Sequence, residues 1–407
     1  MKLLLVNTTI NTISTGRIAE VIGRYAQKSG YEVFAGCRFK NSGSALKVIK
    51  IGLNTDHYIH ALSTRLTDRH GFGSAGATKE FIRQLDKINP DIINLHNIHG
   101  YYLNIELMAD WLIRHNRPVV WTFHDCWPFT GHCTYFDSVG CNRWTTGCHD
   151  CPNRQTYPSA WFHDNSRKNF IRKKELFNAI PQLTIVVPCQ WMANNVSRSF
   201  FNDKRTVIIY NGVNTEIFKP TAADRAQQLK RSLQLEGKRV ILGVANVWEK
   251  RKGLDDFKKM ASLLRYDERI VLIGTNKKQI ASLPDRIIGI GRIENMTRLA
   301  EFYSMADAFI NPTYDDNFPT TNIEALACGT PVVTYDTGGS PEAVSPTTGA
   351  IVAKGDVAGA IENARRLWVE NPSEHCRRRA ITNFDSRDRY NDYINLFNKL
   401  CTTIHSD

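Results

Sequence analysis

A chain of 407 residues, 42% hydrophobic and 23% charged, is long enough for two domains with cores of their own, and it excludes disorder, low-complexity tracts and solenoid repeats. No stretch approaches the ~18 apolar residues of a membrane span, and the apolar start Met1–Val6 is shorter than a signal-peptide core, so a cytoplasmic chain is expected. The net charge of +12 points to an anionic partner without choosing between nucleic acid, an acidic membrane surface and a phosphorylated ligand.

Lys2–Val6 reads as a first strand, followed by Ser14-Thr15-Gly16-Arg17, where a glycine between strand and helix allows close approach to phosphate or sugar. A helix from about Ile18 to Ser29 stops at Gly30, and Glu32–Ala35 is the next strand. Pro90–His96 and Pro118–His124 are strands entered through prolines. The first ends in His96, Asn97 and His99, the second in His124 and Asp125. Between Cys126 and Cys151 lie five of the ten cysteines, which in a cytoplasmic chain reads as a metal site or buried thiols rather than disulfides. Cys148 and Cys151 form a C-x-x-C; with Cys133 and Cys141 they would make a tetrahedral structural zinc site, whose four thiolates leave no open position for catalysis. Arg167, Lys168, Arg172, Lys173 and Lys174, interleaved with Phe170 and Phe177, read either as a solvated helix face or as a contact with anionic lipid. Leu183–Val187 is a further strand, with a helix from about Gln190.

After a polar stretch the pattern restarts with Arg239–Val244, then Arg269–Ile273, Arg286–Ile290, Ala308–Ile310 and Pro331–Thr334, with helices between. Continuous apolar strands alternating with helices indicate two doubly wound parallel sheets, whose ligands bind beyond the strands' carboxyl ends. A last amphipathic helix runs from about Ser386 to Thr402.

The sharpest motif is 314–333, an acidic loop, Asp315-Asp316-Asn317-Phe318-Pro319, then a helix opened by Thr320 or Thr321 and stopped at Gly329-Thr330-Pro331. Its open N-terminal amides would hold an anion, and Glu324 is read as an acceptor for ribose or sugar hydroxyls or as a capping acid. Lys250-Arg251-Lys252-Gly253 follows a strand and reads as cations facing a diphosphate or as an exposed basic turn. Gly338 and Gly339 follow another strand, where missing side chains let backbone amides approach a ligand.

The 314–333 passage resembles the donor-binding motif of the family 4 retaining glycosyltransferases, which have the GT-B fold: two acids with seven residues between, then Ala-x-Ala-x-Gly-x-Pro-Val. Glu324 falls on the second acid and Asp316 on the first, an aspartate where the family has glutamate. The Asp-Asn-Phe-Pro form is similar to exopolysaccharide and colanic-acid-type enzymes, as is the insertion beginning Trp127-Pro128-Phe129-Thr130-Gly131-His132-Cys133. The resemblance implies that Glu324 contacts the nucleotide ribose and that Asp316, within the run Asn317, Phe318, Pro319 and Thr320, contacts the transferred sugar. Lys252 would meet the diphosphate, with Arg251 in place of the arginine the family carries where this chain has Val247. Gly16, Gly338 and Gly339 would lie by the donor, His124 would face the sugar, and His96, Asn97 and His99 the acceptor. Asn211-Gly212-Val213-Asn214 resembles the family's linker motif.

The expected architecture is therefore α/β of the GT-B kind, two Rossmann-like domains facing across a cleft: residues 1–204 with a Cys-rich insertion at about 126–152, a linker 205–236, a donor domain 237–385, and a C-terminal helix 386–407 that either closes the second domain or crosses back to the first. The expected activity is retaining transfer from a UDP- or GDP-sugar to a saccharide or lipid-linked saccharide in bacterial surface polysaccharide synthesis, with no catalytic cofactor and no nucleic-acid partner. A peripheral contact with the inner membrane face accords with a lipid-linked acceptor. The alternatives are another GT-B enzyme such as a nucleotide-sugar epimerase, and a non-enzymatic zinc-stabilised binding module.

Overall fold

The structure, a computed structural model, describes residues 1–39 and 43–404. The chain divides into two compact units, Met1–Ile209 together with the stretch from Tyr390, and Tyr210–Arg389.

In the first unit, β1 (Lys2–Val6), β2 (Glu32–Cys37), β3 (Lys47–Lys50), β4 (Ile92–Leu95), β5 (Val119–Thr122), β6 (Leu183–Val187) and β7 (Arg205–Ile208) form one parallel sheet, ordered β3-β2-β1-β4-β5-β6-β7. Its central strands are largely apolar because helices cover both faces: Leu3, Leu4, Leu5 and Val6 are all fully buried, and the buried Asn94 finds its partners in the Val120 carbonyl and Thr122 hydroxyl. The edge strands are different. Lys47-Val48-Ile49-Lys50 and Arg205-Thr206-Val207-Ile208 are short, charged at one or both ends and mostly half-buried. An edge strand has one partner and one wet side, so neither shows an apolar run. Residues 205–208, expected in a linker, thus complete the first sheet, and the chain leaves this unit after Ile209.

The helix Ser386–Ile404 starts in the second unit and ends in the first. Its Tyr393, Ile394 and Phe397 join the core built by Leu3, Leu5, Ile22 and Val33. The Tyr31 hydroxyl donates to Asn398 Oδ1 at 2.7 Å, and the Tyr31 and Phe397 rings meet edge-on.

In the second unit, β8 (Arg239–Val244), β9 (Glu268–Ile273), β10 (Ile287–Ile290), β11 (Ala308–Asn311), β12 (Val332–Tyr335) and β13 (Gly349–Val352) form a second parallel sheet, ordered β10-β9-β8-β11-β12-β13. In both sheets the order reverses beside the first strand, so successive loops at the carboxyl ends diverge there and leave a crevice. The crevices open between β1 and β4, and between β8 and β11.

Candidate active site

In the second unit, the loop after β8 closes into a short 3-10 turn, Lys250–Lys252, ended by Gly253 at φ +75. A side chain at Gly253 would stand 2.2 Å from the Pro312 carbonyl oxygen, so glycine lets this turn lie against the loop after β11. The two loops are stitched together. Tyr314 N–H donates to the Arg251 carbonyl at 2.8 Å, and Arg251 Nη1 donates to the Asp315 carbonyl at 2.6 Å. Lys252 Nζ forms an ion pair with Asp316 Oδ2, both groups largely sheltered from solvent. Charge-assisted contacts of this kind orient both partners. Val247, at the position of the family's arginine, is instead an exposed apolar side chain.

The helix expected after Pro319 spans Thr320–Ala327. Asn322 is fully buried within it, accepting from Asn311 Nδ2 at 2.8 Å and donating to the Ser340 carbonyl at 3.2 Å. That places the helix against β11 and the turn Ser340–Ala343. Glu324 Oε2 accepts from the buried Tyr303 hydroxyl at 2.9 Å. Burial, with the Glu324 charge beside it, drives the Tyr303 phenol well up, so it remains a donor. Asn317 and Phe318 are buried. Gly338 has φ +54, and a side chain there would come within 1.7 Å of the Asp316 carbonyl oxygen, so the loop after β12 packs directly on the acidic loop; Gly339 precedes the 3-10 turn. The structure thus brings Arg251, Lys252, Asp316, Asn317, Phe318, Pro319, Thr320, Glu324, Gly338 and Gly339 to the carboxyl ends of β8, β11 and β12.

Two supports of this site carry no motif. Asp256 accepts from the Tyr314 hydroxyl at 2.6 Å and the Tyr335 hydroxyl at 2.9 Å, pinning the start of the acidic loop. Tyr303 orients Glu324. Both read in sequence as ordinary helix residues; only the tertiary contact distinguishes them.

In the first unit, His96 and His124 lie just beyond β4 and β5, stacked with ring centroids 5.1 Å apart and His96 Nδ1 to His124 Nε2 at 2.9 Å. Burial holds both imidazoles neutral: His124 is pulled down to about 4, and His96 well below its ordinary value, helped by the neighbouring His124. His99 Nε2 meets Asp125 Oδ2 at 2.8 Å, and its Nδ1 meets the Tyr157 hydroxyl at 3.2 Å. Burial pushes the Asp125 carboxyl up, but His99 and the Trp127 N–H more than offset this and hold it below its ordinary range. The Asn97 N–H donates to Asn7 Oδ1 at 3.1 Å, and the Asn97 carbonyl accepts from Thr8 Oγ1 and the Tyr102 hydroxyl. Gly16, expected in a loop, lies buried inside the first helix, Ile13–Lys28. A side chain there would come within 2.5 Å of Thr9 Oγ1, so this glycine serves helix-to-loop packing.

The cysteine insertion is a run of 3-10 turns. Cys133 is buried, Cys141, Cys148 and Cys151 half-buried, and all are free thiols. A hydrogen bond with Cys133 is the main influence that brings Cys151 down to about 7, and Gly131 N–H donates to Cys148 Sγ at 3.1 Å. Among the described residues, no group of three or more His, Cys, Asp or Glu side chains is arranged to hold a metal ion. The basic helix Ser166–Asn178 turns Phe170 and Phe177 into the core and buries Lys173, whose ammonium donates to the Trp127 and Thr130 carbonyls at 2.8 and 3.1 Å. Its two phenylalanines are therefore not surface anchors. Among the described residues no helix is long and apolar enough to cross a membrane.

Residues 15–217 match the family described as Glycosyltransferase Family 4, and residues 225–384 that described as Glycosyl transferases group 1. A protein of Escherichia coli (strain K12) named as a colanic acid biosynthesis glycosyl transferase, WcaC, is 25% identical over 349 residues, 83% of this chain and 82% of the relative. Sucrose-phosphate synthase from Thermosynechococcus elongatus has the same fold, with a TM-score of 0.71 at 17% identity over 99% of both chains. Anabaena HepE, solved in complex with UDP, aligns with a TM-score of 0.69 at 13% identity over 98% of this chain and all of that one. With both halves of the fold and the acidic-loop motif accounted for, the chain belongs to the family 4 glycosyltransferases of the GT-B fold.

Proposed function

We propose that this glycosyltransferase moves a hexosyl group from a UDP- or GDP-sugar to a hydroxyl of a saccharide or lipid-linked saccharide, with retention at the anomeric carbon, in bacterial surface polysaccharide assembly. The Lys252–Asp316 ion pair, set between two loops at the β8/β11 crevice, carries this reading. It puts a cation and a carboxylate side by side where a sugar diphosphate needs one of each. The relative named for colanic acid biosynthesis supports the product class.

In this mechanism Glu324 accepts hydroxyl hydrogen bonds from the ribose, its carboxylate oriented by Tyr303. The amides opening the helix at Thr320, together with Lys252 and Arg251, hold the diphosphate and stabilise its charge as the glycosyl–oxygen bond breaks. Asp316 accepts from a sugar hydroxyl. The acceptor hydroxyl attacks the anomeric carbon from the leaving group's own face and passes its proton to the departing phosphate oxygen. Neutral His124 contributes a hydrogen bond to the sugar rather than a charge. His96, Asn97 and His99 serve the acceptor.

The test is a panel of UDP-, GDP- and ADP-sugars scored by thermal shift, with Glu324→Ala beside the wild type. Stabilisation by one nucleotide class, weakened about 10- to 100-fold in apparent affinity by the substitution, is expected. No response to any donor would overturn the reading. Proton NMR of the product with the stabilising donor then reads the anomeric configuration.

A further inference from the structure

The helix Asn54–Thr67 is built inside out. Its inward side carries His60, Ala61 and Thr64, with His60 taking N–H bonds from Gly71 and Gly73 on Nε2 and contacting Ser74 Oγ at 2.9 Å. Its outward side carries Tyr58, Leu62 and Leu66 at i, i+4 and i+8, with Ile59 three residues before Leu62, which makes one stripe. Tyr58 and Ile59 are each 69% exposed and Leu62 51%. A helix packed on a globular core normally does the reverse, so this apolar stripe is left uncovered among the described residues of its unit.

A second segment extends the stripe. Trp161 N–H donates to the Arg65 carbonyl at 2.7 Å, and the Arg65 guanidinium lies 5.5 Å from the Trp161 ring centroid. Trp161 and its neighbour Phe162, 68% exposed, thereby stand beside the helix's last turn. Asn165 fixes this segment from the other side, donating to Asp68 Oδ2 and the Thr67 carbonyl. The patch's fittings are mainly basic, and Asp164, the exposed acid two residues after Phe162, is engaged by the Cys151 and Ser166 N–H groups. Arg65 and Arg69 are exposed, Asp68 is buried against His132, and Asp56 is turned back to accept the Leu53 N–H.

We infer that this face, the outer stripe of the helix Asn54–Thr67 with Trp161 and Phe162, docks the first unit on an anionic bilayer surface. Aliphatic side chains enter the acyl boundary, Tyr and Trp sit where one end is apolar and the other wet, and the two arginines meet lipid phosphates. The chain's charge of +12 favours the same surface. This site is distinct from the basic helix Ser166–Asn178, whose phenylalanines are buried.

The experiment is co-sedimentation of the full chain with phosphatidylcholine vesicles, with and without phosphatidylglycerol. Wild type should pellet with the anionic vesicles and remain largely in solution with the neutral ones. The doubles Ile59→Ser/Leu62→Ser and Trp161→Ser/Phe162→Ser should each weaken partitioning about tenfold. Arg65→Glu/Arg69→Glu should remove the preference for anionic lipid, and Leu62→Trp should retain binding. Each variant's melting point and its thermal shift with nucleotide sugar should match wild type, which separates failure of this proposal from failure of the donor reading. The proposal is overturned if wild type stays in solution with both vesicles, or if the serine doubles pellet like wild type. It is equally overturned if wild type sediments in solution as a dimer that Leu62→Ser dissociates, which would assign the face to a second copy of the chain.

Discussion

Position 338 takes glycine because two conditions coincide there, a left-handed φ and the Asp316 carbonyl in the place of a side chain. Gly338→Ala should therefore displace the acidic loop, lowering stability by about 1–3 kcal/mol and weakening donor affinity together, as read by thermal melts with and without nucleotide sugar. In the proposed mechanism Lys252 acts differently, through charge at the leaving group. Lys252→Ala should reduce kcat about 10²–10³-fold with a smaller change in donor KM, and Lys252→Arg should restore part of it; steady-state kinetics separate the two. The places of Lys252, Asp316 and Glu324 beyond the strand ends were legible because each falls on a fixed spacing in its motif. Tyr303 and Asp256 were not, since nothing in a helix's local pattern tells which side chain will meet an acid or a tyrosine from another element.

Among the elements, the helix Asn54–Thr67 with the turn after it and the loops after β4 and β5 concentrate buried histidines. His60 and His124 are each pulled down to about 4, and His70 and His96 well below their ordinary value, by burial first and neighbouring imidazoles second; for His124 the Asp125 charge opposes the fall. In the unfolded chain each titrates near 6.5. The unfolded state therefore binds more protons across that interval, and stability rises with pH there. It should be complete above about pH 6.5 and fall as the pH drops toward about 4. Urea unfolding at successive pH values checks this, and His124→Gln should flatten part of the fall. The strand ends carrying His96 and His124 were legible from their prolines and apolar runs, while His60 and His70, on and after a helix, carry no such signal. Gly16 was misplaced because Ile13–Lys28 begins before the apolar periodicity does. The basic helix gave the reverse difficulty: its charges suggested a surface face, while Phe170 packs on Phe200, Phe177 on Trp121 and Phe201, and Lys173 lies over Trp127.

For the whole molecule, the helix that starts at Ser386 is the decisive segment, because its second half supplies core to the first unit. Phe397 and Phe257 are both fully buried, one in each unit's core. Phe397→Ala and Phe257→Ala should each cost about 3–5 kcal/mol and shift different transitions in calorimetry. A single transition moved equally by both would show instead that the units unfold as one.

By itself the sequence determined the doubly wound architecture, the central strands and the loops that frame the candidate donor site, because these rest on local rules: buried strands must be largely apolar, helices must stop at glycine and proline, and the acidic-loop motif has fixed spacing. Only the tertiary structure decided what depends on a partner distant in the chain. The edge strands β3, β7 and β13 are strands because a neighbour offers hydrogen bonds, not because their residues insist on it. The helix Asn54–Thr67 faces its apolar stripe outward because histidine and threonine find hydrogen bonds inside, a choice that amphipathic periodicity alone leaves undecided.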